Sequence, residues 1–389
     1  LGRNHMKNRV FCSAFGISAD EKKIWGSAYD FNEIYEFDLL SRRIKSLGQL
    51  EDEENTFDLV ESIEYAQDKI IFIPGNNGRY FHILDIKTGV QTKIKKSSFL
   101  NELEAVHANR FFSFVWNNRV YVVCRERLAI YYYDLYNNNF KIAFRYDEHN
   151  LFHCRSFSLW NDSVAFLSIE LNEIVIYNLD KNEMERIKLD DKMAGVNRIA
   201  IMEDRIVLYR IEDRRIYLMD RGGVLIKEFT ILSETGNHIM AFSAEEQIYL
   251  IGVTNWAVEI FKINKNGEFV KSEWSNVKNL DAYCLNRVDD DLYFFEFIVY
   301  AKDAPSLNYN AQRCFKYRLG TSVIETIEWE TDGIEYERQL LNMLKQGTAL
   351  VENSGYELEF LIKNIDANNH PGKIDESGIT VGAKIYDRC

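Results

Sequence analysis

The strongest constraint on this chain is a short stretch that returns seven times in one register. Its clearest copy is Arg119 to Asp134, RVYVVCRERLAIYYYD: an apolar run, a polar loop, and a second run ending in an apolar, aromatic, any, apolar, Asp signature. The second runs are IYEFD ending at Asp38, FHILD at Asp85, IYYYD at Asp134, IYNLD at Asp180, IYLMD at Asp220, IFKIN at Asn264 and CFKYR at Arg318. The first runs keep the same step, from KIWGSAY at Lys23 to DLYFFEF at Asp291. The spacing stays near ~45 residues, so each copy is one supersecondary unit.

Each first run follows a pair of turn formers: Asp20-Glu21, Gln67-Asp68, Asn117-Asn118, Asn161-Asp162, Glu203-Asp204, Glu245-Glu246 and Asp289-Asp290. Asn and Asp tolerate the left-handed region and bond their own backbone, which suits them to tight hairpins. One more apolar stretch precedes each turn and a fourth follows each signature. Four antiparallel strands per repeat, seven repeats and little helix signal before residue 330 predict an all-β fold, a seven-bladed β-propeller with sequential blades. An open solenoid is the alternative, but four-stranded units with two apolar faces pack against one another around an axis.

The repeats span 9–329 as one closed domain. Residues 1–8 hold LGRNH, which reads as an expression remnant, and the chain's N-terminus. In 330–389, Gly333 to Leu344 and Tyr356 to Ile365 show near-helical spacing of apolar residues. They predict a small, mainly helical extension that caps the ring or docks a partner, with an apolar-alternating run ending Ile385-Tyr386.

A net charge of −13 disfavours a protein that tracks a phosphate backbone. The densest basic group, Lys93, Lys95 and Lys96, reads as a solvated edge. No nucleic acid partner is expected, and no stretch is long enough to span a membrane. Six cysteines show no C-x-x-C pair and no metal-ligand spacing, and most fall in apolar strands. A cytoplasmic protein without metal or cofactor is the reading.

The loop Pro74-Gly-Asn-Asn-Gly-Arg79 joins two strands, so it is a structural turn; phosphate loops open a helix. Ser18, Asp20 and Trp25 resemble part of the Asp-box of sialidase-type propellers and read as an ordinary hairpin. No G-x-S-x-G elbow and no assignable Ser, His and Asp set occurs.

Successive strands alternate direction, so the loops between second and third strands emerge at one end of the axis with the links into each first strand. That end holds Asn76, Arg79, Arg125, Arg127, Arg210, Asn255, Trp256 and Tyr309, with His107, His153 and His238 deeper toward the channel. The opposite end holds recurrent turn formers whose recurrence already has a structural cause. Trp and Arg dominate binding hot spots, which puts Trp256 and Arg127 first. The longest insertion, in the seventh repeat, carries Tyr309 and adds to this face.

The signature endings ILDIKTG at Ile83 to Gly89 and IYNLDKN at Ile176 to Asn182 resemble the broad kelch-like and WD40-like propeller superfamily of bacterial proteins. The resemblance covers 9–329. It implies the ring fold and binding of proteins, peptides or glycans on the loop face, in no specific family. A non-catalytic module for a protein or peptide partner is the first expectation. The alternative is a glycan-binding protein, or a carbohydrate-active or small-molecule enzyme, at the mouth of the axial channel. There Trp25, Trp256 and the histidines would stack and activate the substrate.

Overall fold

The structure is a computed structural model. It describes residues 12–28, 32–98, 100, 111–146, 152–231, 239–244, 246–253, 258–264, 266–274, 285–295, 314–319, 321, 324–327 and 329. Beyond these it describes strands within 356–387.

Every repeat forms a four-stranded antiparallel sheet whose strands pair in chain order. Blade 1 runs Cys12–Ile17, Lys23–Ala28, Ile34–Asp38 and Arg43–Gly48. Blade 2 starts at Val60–Ala66, blade 3 at Phe111–Trp116, blade 4 at Cys154–Trp160, blade 5 at Arg198–Ile201, blade 6 at Ile239–Ala244 and blade 7 at Leu285–Val288. Seven such blades form a β-propeller, as the repeats predict. The first strand of each blade lies innermost.

The turn pairs of blades 2 and 3 act as read, while those of blades 1, 4 and 7 have one positive-φ residue each and Glu203-Asp204 of blade 5 has none. Gln67 and Asp68 have φ of 49° and 61°, and Asn117 and Asn118 of 47° and 56°. Positive φ at both positions matches the right-handed twist of a two-residue hairpin. The signature Asp is a turn former too: Asp38 Oδ1 accepts the N–H groups of Leu40 at 3.0 Å and Ser41 at 2.8 Å. Blade 4 corrects the aligned register by two residues. There Asn178, paired opposite Ser163, accepts from Asp180 and Lys181 in the role that the alignment gave to Asp180.

Middle strands are buried on both faces, so each blade shares one apolar layer with each neighbour. Blades 1 and 2 approach closely enough that a Cβ on Gly16 would lie 2.8 Å from the carbonyl oxygen of Ile63. Elsewhere serines join the inner strands. Ser156 and Ser158 of blade 4 accept the N–H groups of Ile199 and Ile201 at 3.3 and 3.1 Å, satisfying strand-edge donors that buried backbone cannot leave unmet.

Closure borrows no strand. Phe15 of blade 1 stacks on Phe295 of blade 7 with ring centroids 3.6 Å apart, and Trp329 packs edge-on against Phe37.

The extension departs from its expected helicity. Tyr356–Ile362 is a strand paired with Val381–Asp387, Tyr356 opposite Asp387 and Ile362 opposite Val381. Read two residues at a time, YELEFLI alternates Tyr, Leu, Phe and Ile with Glu, Glu and Leu, and a partner strand of matching alternation decided between the two periods. The helix expected over Gly333 to Leu344 lies outside the described residues.

Candidate binding face and axial mouth

At the loop end of blade 2, the link 51–59 is fastened to the loop 75–79. Asn76 donates to the Asp58 carboxylate, and Asn77 Nδ2 donates to Phe57 O at 2.8 Å. Arg79 reaches Glu53 at 3.5 Å, Glu54 at 3.4 Å and the Asp52 carbonyl. A Cβ on Gly75 would lie 2.5 Å from Asp58 O, so glycine is required where link and loop touch. The loop is the structural turn its sequence indicates.

Glu53 anchors this junction. Its Oε1 accepts the N–H groups of Arg79 and Tyr80 at 2.8 and 2.9 Å and faces His82 Nε2 at 3.4 Å. Gln91 lies 2.9 Å from His82 Nδ1; with the amide donating there, the ring proton sits on Nε2, toward Glu53. Burial pushes the Glu53 carboxyl up, but the bonds from His82 and the two N–H groups outweigh it and hold it below the usual range. Sequence reading passed over His82 because it falls in a signature strand.

Of the lysine group, Lys95 is exposed while the other two are engaged. Lys93 pairs with Asp52, and half-buried Lys96 donates to Gly75 O at 3.2 Å beside the Phe111 ring.

Arg125 occupies the mouth of the axis where three blades meet. Its guanidinium lies 4.4 Å over Phe112 of its own blade, 3.7 Å from Glu61 of blade 2, and Nε donates to Cys154 O of blade 4 at 3.4 Å. Its side chain is 18% exposed, so it meets solvent from a fixed position.

Deeper between the inner strands of blades 2 and 3, Ser62 and Ser113 hydroxyls lie 2.6 Å apart, and Ser113 donates to Glu64 at 2.5 Å. Burial pushes the Glu64 carboxyl up to about 7, against the smaller lowering effect of the Ser113 bond. The strand Val60–Ala66, VESIEYA, carries two acids, and nothing in the chain singles out Glu64 from Glu61.

Arg210 is committed to its own blade: two nitrogens grip Asp213 at 2.8 and 2.6 Å, and a third donates to Lys192 O and Ala194 O at 3.0 and 2.9 Å. Arg127 is half-buried in the loop following Arg125, and His153 is exposed beside Cys154. The structure therefore brings Arg125, Arg127 and His153 near the junction of blades 3 and 4, while Asn76, Arg79 and Arg210 stiffen loops. Asn255, Trp256, Tyr309, His107 and His238 lie outside the described residues. Trp25 corrects the substrate-stacking expectation. It is 1% exposed and stacks on Tyr65 at 5.4 Å in the core between blades 1 and 2.

No protein-family model matches the chain, and no curated protein matches it in sequence. Solved structures match its fold. Virginiamycin B lyase from Staphylococcus aureus is 14% identical with a TM-score of 0.53, covering 75% of this chain and 92% of that one. YCF48 bound to D1 peptide is 10% identical with a TM-score of 0.54, over 77% of this chain and 95% of that one. U3-55K is 9% identical with a TM-score of 0.54, over 80% of this chain and 96% of that one. Likeness at these identities concerns the propeller alone. Among the described residues no helix is long and apolar enough to cross a membrane.

Proposed function

We propose that the chain is an interaction module that binds a protein or peptide segment on the loop end of the ring, anchored by Arg125 at the axial mouth. The observation that carries this reading is Arg125 itself: a guanidinium fixed by Phe112, Glu61 and Cys154 of three blades and still 18% exposed at the mouth. Loops fastened by Asn76, Arg79 and Arg210 lower the ordering cost a partner must meet. YCF48, one of the similar structures, is bound to a peptide. Trp256, Asn255 and Tyr309 belong to the same proposed face. The described cysteines, Cys12, Cys124, Cys154 and Cys314, are buried thiols, which suits the cytoplasmic location that is part of this reading.

Selection of peptides from a displayed library against the immobilised protein supplies ligands whose Kd can be measured. Arg125→Ala is expected to weaken them about tenfold or more, and Asp162→Lys at the hairpin end to leave them unchanged. The reverse pattern sinks the assignment of the face.

Glu64 favours a second reading, a glycan or small-molecule site inside the mouth with an acid-base group. A carboxyl poised near neutral pH can both give and take a proton. Under that reading a turnover assay follows the protonation of Glu64 and is abolished by Glu64→Gln, whereas the peptide ligands above are indifferent to it.

A further inference from the structure

The hairpin end of blade 3 carries two clefts side by side. One, of 370 Å³, opens between blades 3 and 4 and is walled by Trp116, Tyr121 and Tyr177, with Asp180 and Asn182 at its far side. The other, of 360 Å³, opens between the two hairpins of blade 3 and is edged by Tyr136, Lys141 and Gln67. Asn117, Arg119 and Tyr132 line both. Each volume falls within the lower part of the ligand-pocket range, from about 300 Å³ upward.

Arg119 is what distinguishes this place from its counterparts. The second strand also opens on a basic residue in blades 1, 2 and 5, and each has a polar partner: Lys23 pairs with Glu36 at 3.1 Å, Lys69 donates to Asn138 at 3.1 Å, and Arg205 pairs with Asp204 at 2.8 Å. Arg119 stands across from the signature Asp134, but Lys141 at 2.5 Å and Asn137 at 2.6 Å already occupy that carboxylate. The exposed guanidinium lies instead 5.0 Å over the Tyr132 ring and bonds the neutral Tyr121 hydroxyl, and among the described residues it has no carboxylate at ion-pair distance. In a chain of net charge −13 this is a cation placed between two aromatic-walled clefts.

The rest of the lining narrows the ligand. Asn182 Oδ1 accepts from Tyr177 at 2.7 Å, and no described group meets its amide nitrogen; Asp180 is exposed at the rim. Amides and a carboxylate beside one guanidinium suit a ligand with one acidic group and many hydroxyls, because hydroxyls donate to Asp180 while a second anion would be repelled by it. Tyr136, 88% exposed, and half-buried Trp116 offer flat faces to sugar rings. We propose that this double cleft binds an acidic oligosaccharide carrying a single uronic acid, its carboxylate on Arg119 and its neighbouring rings against Trp116 and Tyr136. The site lies at the end opposite the Arg125 mouth and is independent of it.

Calorimetric titration of the whole chain with an aldotetraouronic acid, one glucuronic acid on xylotriose, tests this, with xylotetraose and an acidic tetrapeptide as comparisons. The acidic saccharide is expected to bind at least about tenfold tighter than xylotetraose, since the charge-assisted pair is the discriminating contact. Arg119→Ala should remove that preference, Tyr136→Ala should weaken both saccharides severalfold, and Arg125→Ala should change neither. Both cleft side chains substituted are exposed, and an unchanged circular dichroism spectrum confirms the fold. No measurable binding of the aldotetraouronic acid, equal affinity for the neutral saccharide, or preference for the acidic tetrapeptide overturns the proposal.

Discussion

The joint between blades 7 and 1 and the joint between blades 3 and 4 are both aromatic, yet they are sealed differently. At the closure, stacked Phe15 and Phe295 are backed by a polar seam in which Lys316 bonds Glu21 at 2.7 Å, Tyr293 donates to Glu21 and Arg42 meets Glu325 at 2.9 Å; within blade 7, Asp291 steadies that seam by holding Lys316 at 2.8 Å and Arg318 at 3.0 and 2.8 Å. Between blades 3 and 4 the aromatic layer, with Phe112 on Phe157 at 4.9 Å and Phe144 on Tyr177 at 4.9 Å, stops short of the hairpin end and leaves a 370 Å³ cleft. Chain continuity accounts for the difference. Consecutive blades are tethered by a short link, whereas Tyr293 and Glu21 are 272 residues apart and must be held by what they touch. A tethered joint can leave space for a ligand; an untethered one is filled and bonded.

The largest test of this contrast is truncation of the two aromatic layers. Phe15→Ala is expected to cost about 3–5 kcal/mol in denaturant unfolding, and Phe157→Ala, half-buried at the open joint, roughly half as much. Equal costs would erase the distinction.

Next comes the polar seam. The Arg318 bonds, with Lys316 adding to them and burial opposing, hold the Asp291 carboxyl down from 3.8 to about 2. A depressed carboxylate stabilises the fold fully above the unfolded value near 3.8 and loses that contribution as pH falls to about 2. Asp291→Asn should therefore cost about 2 kcal/mol at pH 7 and almost nothing at pH 2, seen as melting curves that converge in acid.

Glu64 should behave in the opposite sense. Its pKa is raised from 4.5 to about 7, so the folded state holds the extra proton and stability falls as pH rises across that interval. Glu64→Gln is expected to gain about 1–2 kcal/mol at pH 8 and little at pH 4; a loss at pH 8 would mean that the carboxylate is needed at that joint. The smallest effect belongs to Arg119→Ala, within about 0.5 kcal/mol, because an exposed cation without an ion pair contributes little to folding. A larger loss would make Arg119 part of the seal between blades 3 and 4.

The sequence by itself determined the ring: two anchors repeating seven times, turn pairs such as Asn117-Asn118 that adopt positive φ, and middle strands apolar on both faces are local properties, set by backbone sterics and strand period. It also placed the loop end and the hairpin end, since strand direction alternates in any antiparallel blade. What it could not decide is how far each side chain is committed elsewhere. Arg210 and Arg79 look like Arg125 in the chain, but the Lys192 and Ala194 carbonyls with Asp213 employ the first and Glu53 and Glu54 the second, while contacts with three blades hold Arg125 at the mouth, 18% exposed. Arg119 and Lys23 occupy the same repeat position, but Lys23 pairs with Glu36, whose counterpart in blade 3 is the Tyr132 ring under Arg119, and the remaining acid, Asp134, is held by Lys141. Likewise YELEFLI fits either period in isolation, and the strand at 381–387 chose one. Fold follows from local pattern repeated; the chemistry of a site follows from which partners tertiary packing delivers, and those contacts leave no periodic trace in the chain.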